Sequence, residues 1–257
     1  MTSDAYVVDV TQDWAIACDV QQRFSQNPGP TLGRAPSPDI DTLSYSGRCR
    51  QLRALGGDCY HFVPLPQNHL ALAVADASGK GLAAALMIAN VQSSLRTAAS
   101  FAPADPAAVV DAVNRQVYSS SLDDRFATLF YGVLDGTTRT LRYINAGHNS
   151  PMVIRKGQSV MQLEPSGPPV GIFPDTIYRE STVELSRGDL ILAYTDGVIE
   201  ALNPEGDEWG TRGLLAAVAK CDAERPDEIV EAIFASLDDF SQGRQTDDAT
   251  VAVVRVR

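Results

Sequence analysis

Long apolar runs are missing from this sequence. Its most apolar stretch, Leu82 to Val91, is broken by Asn90 and falls short of the roughly 20 residues that a membrane-spanning helix needs. Met1 to Val10 hold Asp4 and Asp9 and no Lys or Arg, whereas a secretory leader opens with positive charge. A soluble, cytoplasmic protein that engages no membrane is the expectation. Basic residues are scarce too: Lys and Arg total 21 against 32 Asp and Glu, a formal net charge of -11 over 257 residues. That is the wrong sign for holding nucleic acid through its phosphates. The four cysteines, Cys18, Cys49, Cys59 and Cys221, form no CxxC pair, which speaks against a zinc site or a disulfide framework. Reduced, mostly buried thiols are expected.

What is present is ordinary globular composition, at a length that buries a real core. Residues 1–39 stand apart. A helix is expected from about Asp13, its cap, to Ser25, with Trp14, Ala17, Gln21 and Phe24 on one face and Ile16 and Val20 beside them. A helix apolar on more than one side needs a partner. Asn27-Pro28-Gly29-Pro30, Gly33, Pro36 and Pro38 then read as an extended arm.

Over residues 40–257 the pattern changes. Strands are expected at Asp58–Val63 and Leu70–Ala75 as a hairpin, at Ala127–Leu134 and Thr140–Asn145 around Asp135-Gly136, and at Met152–Arg155, Tyr178–Glu184, Asp189–Thr195 and Ala249–Val256. Helices are expected at Leu82–Thr97, Pro106–Tyr118 with Asp105 as cap, Arg212–Lys220 and Pro226–Phe240. Helices come in pairs and strands in antiparallel runs, unlike the one-by-one alternation of a doubly wound parallel sheet. The expected fold is α+β, a four-layer α/β/β/α sandwich of two antiparallel sheets flanked by helix pairs.

Four short motifs place an aspartate where a strand meets a turn: Gly56-Gly57-Asp58, Asp76-Ala77-Ser78-Gly79-Lys80-Gly81, Thr195-Asp196-Gly197 and Thr246-Asp247-Asp248-Ala249-Thr250. Each alone reads as a turn or a solvated loop. Together they put carboxylates at the ends of core strands, where an unpaired buried charge is not tolerated. The chain offers little counter-charge nearby except Lys80, and hard divalent cations with oxygen ligands are the natural partners. Ser78-Gly79-Lys80-Gly81 is not a nucleotide-binding P-loop, because Val74 and Gly81 stand where that motif needs Gly and Ser or Thr. Gly79 and Gly81 instead allow close backbone approach beside Asp76. Lys80 is either a surface lysine or an orienting group. Of the histidines, His69 falls in a polar turn and is expected exposed, His148 serves its own loop, and His61, three residues after Asp58, is either a nearby general acid or turned away by strand alternation.

These motifs, with Phe126-Ala127-Thr128-Leu129-Phe130, Asn145-Ala146-Gly147-His148-Asn149, Gly188-Asp189-Leu190 and Trp209-Gly210, resemble the protein phosphatase 2C-like (PPM) superfamily in its bacterial SpoIIE/RsbU-type branch, over roughly residues 13–256. The resemblance implies a metal-dependent protein serine/threonine phosphatase with two Mn2+ or Mg2+ ions. It implies that Asp76 bridges both metals, that the Ala77 carbonyl and Asp58 serve one, and that Asp196 and Asp247 hold the other, with Asp248 the lesser candidate of its pair. Two such ions about 3.5–4 Å apart share a water and direct the resulting hydroxide at phosphorus. Asp123 and Asp124 are further metal candidates. The implied partner is a phosphorylated protein, in this branch an anti-anti-sigma (STAS-domain) regulator, and the N-terminal helix is implied as a dimerisation and switch element, giving a homodimer.

The chain departs from the eukaryotic relatives by carrying Ser78 where they have a leaving-group histidine. Their phosphate-binding arginine is not assignable among Arg48, Arg50 and Arg53. A phosphoprotein-binding module without turnover and a hydrolase of small phosphate esters stay open as alternatives.

Overall fold

The computed structural model describes residues 15–21, 40, 42–121, 125–155, 160–221 and 224–257. Among these residues ten strands form two antiparallel sheets. The first sheet has the order β1 (Leu43–Arg50), β10 (Ala249–Val256), β9 (Leu190–Tyr194), β6 (Met152–Ile154), β7 (Met161–Gln162). The second runs β2 (Asp58–Leu65), β3 (His69–Ala77), β4 (Ala127–Asp135), β5 (Thr140–Ala146), β8 (Ser181–Glu184).

Side-chain alternation explains why these strands need cover on both faces. In β10, Ala252, Val254 and Val256 point between the sheets, where they meet Phe62, Leu72 and Phe130 of the second sheet. Val251 and Val253 point outward to helices α5 (Gly210–Lys220) and α6 (Pro226–Ser241). The second sheet turns Ala71, Ala73 and Ala75 outward to α2 (Leu82–Phe101) and α3 (Pro106–Ser120). The layers are therefore α/β/β/α, as expected. In the sheet-to-sheet layer Phe130 is fully buried, and truncating such a ring to Ala costs about 3–5 kcal/mol. Asp105 caps α3 by accepting the Ala108 N–H at 3.0 Å.

The structure also differs from the sequence reading. Only Ser181–Glu184 of the expected Tyr178–Glu184 strand pairs, and Tyr178 is buried with the α2 and α3 core instead. A four-residue helix, α4 (Asp196–Ile199), follows β9. Of the four free thiols only Cys59 is fully buried. His69 is half-buried rather than exposed, bonded to the Pro66 carbonyl at 3.1 Å. No described helix is long and apolar enough to cross a membrane.

Residues 15–21 are helical (α1), with Gln21 buried and Ile16 and Val20 exposed. The Asp13 and Ser25 ends of that helix, the arm from Asn27 to Pro38, and Asp123 and Asp124 lie outside the described residues.

Candidate metal centre

Strands β2 and β3 pair in the register Asp58↔Asp76, so two carboxylates stand side by side at one end of the second sheet, roughly 5 Å apart at Cβ. Asp58 is 1% exposed, and a carboxylate so deep needs hydrogen-bond donors. They come from the other sheet. Thr195 at the end of β9 and Thr250 in β10 each donate a hydroxyl to Asp58 Oδ2, at 2.7 and 2.8 Å. Thr195 Oγ1 also accepts the Thr250 N–H at 2.9 Å. Three strands are thereby tied together around one carboxylate.

The same end of the first sheet supplies Asp196, the first residue of α4, and Asp247 and Asp248, just before β10. Their charges act on the β2–β3 pair. Burial raises the Asp76 pKa, and the neighbouring Asp58, Asp196 and Asp247 carboxylates raise it further. Burial raises Asp58 as well, the two threonine hydroxyls pull it back, and Asp248 and Asp196 push it up. Asp196 is raised by burial and by Asp247, with Lys80 opposing. Asp58, Asp76, Asp196 and Asp247 thus form one electrostatic unit.

Among the described residues no three of these carboxylates already converge as a closed ligand group. Protein partners hold them instead: Asp58 has its threonines, and Asp247 takes the Lys80 ammonium at 2.6 Å. Lys80, half-exposed, also reaches the Thr246 carbonyl at 3.3 Å, so its ammonium is the counter-charge on the Asp247 loop. Such a donor set, rich in carboxylates and short of cations, fits divalent metal.

Backbone chemistry fits as well. The Ala77 N–H donates to the Gly57 carbonyl at 3.0 Å. A Cβ on Gly57 would stand 3.2 Å from the Ala77 carbonyl oxygen and 3.2 Å from the Ala84 methyl, so glycine there avoids crowding that oxygen.

Asp247 and Asp248 do different work. The Asp248 carboxylate accepts the Leu52 and Gly57 N–H groups, both at 2.7 Å, and a Cβ on Gly56 would collide with it. Asp248 is spent on the 52–57 loop. Gly79 and Gly81 adopt φ of +89° and +78°, a left-handed conformation that side chains resist. This is a stronger reason for glycine than close approach, although a Cβ on Gly79 would also meet the Arg125 guanidinium.

Ser78 is structural: its hydroxyl accepts the Phe126 N–H at 3.0 Å and its N–H donates to the Phe126 carbonyl at 2.8 Å. His148 is buried, with Nδ1 2.8 Å from Thr128 Oγ1 and its N–H on the Asn145 side chain at 2.8 Å. Burial lowers its pKa to about 4, so it stays neutral. His61 faces α2, on the side of β2 opposite Asp58, and burial beside Arg96 lowers it to about 4 also.

Arg48 and Arg50 are committed to α6, pairing with Glu231 at 2.9 Å and Asp238 at 2.5 Å and stacking on Phe234. Arg53 is the remaining arginine of that group, and its guanidinium lies 3.8 Å from where a Gly81 Cβ would stand. Sequence reasoning missed the roles of Thr195, Thr250 and Gln21. Gln21 of α1 donates to the Gly56 carbonyl at 2.7 Å and accepts the Gly56 N–H at 3.2 Å. The signal for the threonines was a hydroxyl in otherwise apolar, fully buried strand ends.

Residues 66–257 match the family model described as Stage II sporulation protein E (SpoIIE). Protein IcfG of Synechocystis sp. is 26% identical over 248 residues, covering 84% of this chain and 38% of IcfG. Phosphoserine phosphatase RsbU of Bacillus subtilis is 27% identical over 249 residues, covering 96% of this chain and 71% of RsbU. The chain therefore spans well under half of IcfG and most of RsbU. Among solved structures, the SiaA-PP2C domain of Pseudomonas aeruginosa superposes with a TM-score of 0.81 at 21% identity, covering 96% of this chain and 97% of that one. The catalytic domain of the serine threonine protein phosphatase PstP in complex with 2 manganese ions gives 0.64 at 19% identity, covering 84% of this chain and 98% of that one. At these identities the structures share the fold.

Proposed function

Because the chain belongs to the SpoIIE family of PP2C-type serine/threonine phosphatase domains, we propose that it hydrolyses phosphoserine or phosphothreonine on a protein, using two divalent cations, Mn2+ or Mg2+. The observation that carries this reading is the Asp58↔Asp76 register, with Asp196 and Asp247 brought to the same end from the other sheet. Asp76 would serve both cations, Asp58 and the Ala77 carbonyl would serve one, and Asp196 and Asp247 would serve the other. The manganese held by the PstP domain, which has the same fold, supports the choice of metal. When bound, the cations supply an activated hydroxide and offset charge on the phosphoryl oxygens.

The chain's own residues do the rest. Thr195 and Thr250 fix Asp58 in one orientation, which is how partners of a metal ligand tune it. Lys80 is the counter-charge that Asp247 exchanges for a cation. Arg53, whose guanidinium lies beside the Gly81 turn, is the candidate to receive the substrate's phosphoryl group, a job that suits its planar fork.

The substrate class is an anti-anti-sigma (STAS-domain) regulator in the cytoplasm, the partner implied by resemblance to the RsbU type. Helix α1 is the switch and dimer element: Gln21 holds Gly56, two residues before Asp58, while Ile16 and Val20 stay exposed at 53% and 47% for a second copy.

The test is hydrolysis of para-nitrophenyl phosphate with and without Mn2+, for the natural chain and Asp76→Asn. Manganese-dependent turnover lost in the variant is expected. Folded protein that turns over neither with nor without Mn2+ would overturn the reading in favour of a binding module. Faster release of phosphate from free phosphoserine than from a phosphorylated STAS-domain protein would point to small esters.

A further inference from the structure

Helix α2 buries one side and leaves an apolar stripe on the other. Ala84, Met87, Ile88, Val91, Leu95 and Ala99 pack with the outer face of the second sheet. On the opposite side Leu82 is 48% exposed and Leu86 64%, with Ala83 exposed between them and Ala89 half-exposed one turn on. Positions 82, 86 and 89 follow the three-to-four spacing that lines side chains along one helix face. A surface helix ordinarily gives that face to charged and polar groups. Here Gly81 to Leu95 hold no Asp, Glu, Lys, Arg or His, in a chain that is 21% charged. A single exposed leucine is ordinary, whereas an uncharged stripe marks a contact surface.

The stripe starts at the metal centre. Leu82 follows Gly81, beside which the Arg53 guanidinium lies, and Lys80, one residue earlier, holds Asp247 at 2.6 Å. An α-helix rises about 1.5 Å per residue, so Leu86 stands about 6 Å beyond Leu82 along the axis. An extended peptide advances about 3.3–3.6 Å per residue. Starting from a phosphoserine at the Gly81 turn, its next few residues pass both leucines. Helices that lie on lipid carry Lys and Arg beside their apolar face, but the first base on α2 is Arg96. The position therefore favours a peptide chain as occupant, and the one that must come to this end is the substrate.

We propose that Leu82 and Leu86 form an apolar docking subsite for the phosphoprotein substrate, selecting chains with large aliphatic residues beside the phosphoserine. The inference rests on the phosphatase reading, which sets where the phosphoryl group lies. That group brings about -1.5 to -2 charges to a chain that is itself acidic, so overall charge does not draw the two together. Burial of aliphatic surface needs no opposite charge, and the stripe offers it one turn of helix away from Arg53.

The experiment compares kcat/KM of the full chain, with Mn2+, on two synthetic peptides: Gly-Leu-Leu-phosphoserine-Leu-Leu-Gly and Gly-Ser-Ser-phosphoserine-Ser-Ser-Gly. The natural chain should favour the leucine peptide about tenfold, the low end for an apolar contact. Leu82→Gln/Leu86→Gln should lose most of that preference, chiefly through KM. Phe101→Gln, exposed on the same helix about 22 Å beyond Leu86, should keep it in full. Equal use of the two peptides by the natural chain, or a preference that survives the double substitution, would overturn the subsite. A dimer turned into a monomer by the double substitution, with the preference intact, would overturn it in favour of a second copy on the stripe. Failure of the phosphatase reading looks different: para-nitrophenyl phosphate is then not turned over with Mn2+. Anisotropy of the same peptides tagged with fluorescein still decides in that case. Tighter binding of the leucine peptide, lost in the double variant, keeps the subsite, and equal binding of both peptides overturns it.

Discussion

The two sheets offer their carboxylates to the same end of the molecule in different ways. Asp58 and Asp76 stand on paired core strands, in register, with Asp58 1% exposed and held by two hydroxyls. Asp196 and Asp247 stand on connections, one opening a four-residue helix, the other with a side chain 41% exposed that holds a half-exposed lysine and the adjacent Asp248 N–H. Strands place a side chain with the precision of the ladder, whereas loops leave it adjustable. The inner pair is therefore a preorganised seat and the outer pair an adjustable closure. In the first pair burial and repulsion are built in before any cation arrives; in the second, Lys80 stands in for one.

The harshest break of this comparison replaces one carboxylate from each side. Asp58→Asn should reduce manganese-dependent turnover to background at any Mn2+ concentration, because the inner seat cannot be rebuilt from solvent. Asp247→Asn should lose activity at low Mn2+ and regain much of it as Mn2+ is raised. Identical metal-response curves for the two variants would end the distinction. A gentler break leaves every carboxylate in place. Thr195→Val removes one hydroxyl from Asp58 and strands the Thr250 N–H; loss of such an outer partner weakens metal binding by about 10–100-fold. Titration calorimetry with Mn2+ measures it, and an unchanged affinity would show that Asp58 needs no such support.

The built-in repulsion also predicts how pH acts on the metal-free chain. Asp58 and Asp76 both have raised pKa values, chiefly from burial and then from neighbouring carboxylates. In the unfolded chain an aspartate loses its proton near pH 4, roughly its ordinary value. Above that, and up to the raised values, the folded chain holds protons that the unfolded chain has released. Stability then falls as pH rises, by about 1.4 kcal/mol per pH unit for each proton fully retained. The melting temperature without metal should drop between pH 5 and pH 8, and saturating Mn2+ should remove the slope. A metal-free melting temperature that rises over that range would show that the carboxylates do not repel as described.

Much of this was legible because chemistry and local pattern coincide at the aspartates. Asp76 follows an apolar strand and precedes glycines, and both facts are visible within a few residues. The four-layer order also followed from local signals, paired helices and alternating strands. What escaped was held by distance along the chain. Thr195 and Thr250 reach Asp58 across 137 and 192 positions, and Gln21 reaches Gly56 across 35; no periodicity encodes such bonds. The division of labour between Asp247 and Asp248 has the same origin, since Asp248 is occupied by amides nearly two hundred residues away. Tyr178 was read as strand because an aromatic in an apolar run suits a strand and a core equally. Helix α4 is too short to show a period.

The smallest expected effect tests the adjustable half directly. Lys80 donates to Asp247 at 2.6 Å while remaining half-exposed, and exposed pairs of this kind contribute about 0.2–1 kcal/mol. A cation that needs Asp247 must displace that ammonium. Lys80→Met removes the competitor, so Mn2+ should bind the outer position about 1.5- to 5-fold more tightly, which is the same energy expressed as a ratio. The metal-free variant should melt slightly lower, because Asp247 then faces Asp76 and Asp196 without a counter-charge. The two changes must go in opposite directions. A lysine that merely decorated the surface would move neither, and one that oriented Asp247 for the metal would weaken Mn2+ binding when removed. Calorimetry for the affinity and a melting curve in EDTA decide among these three.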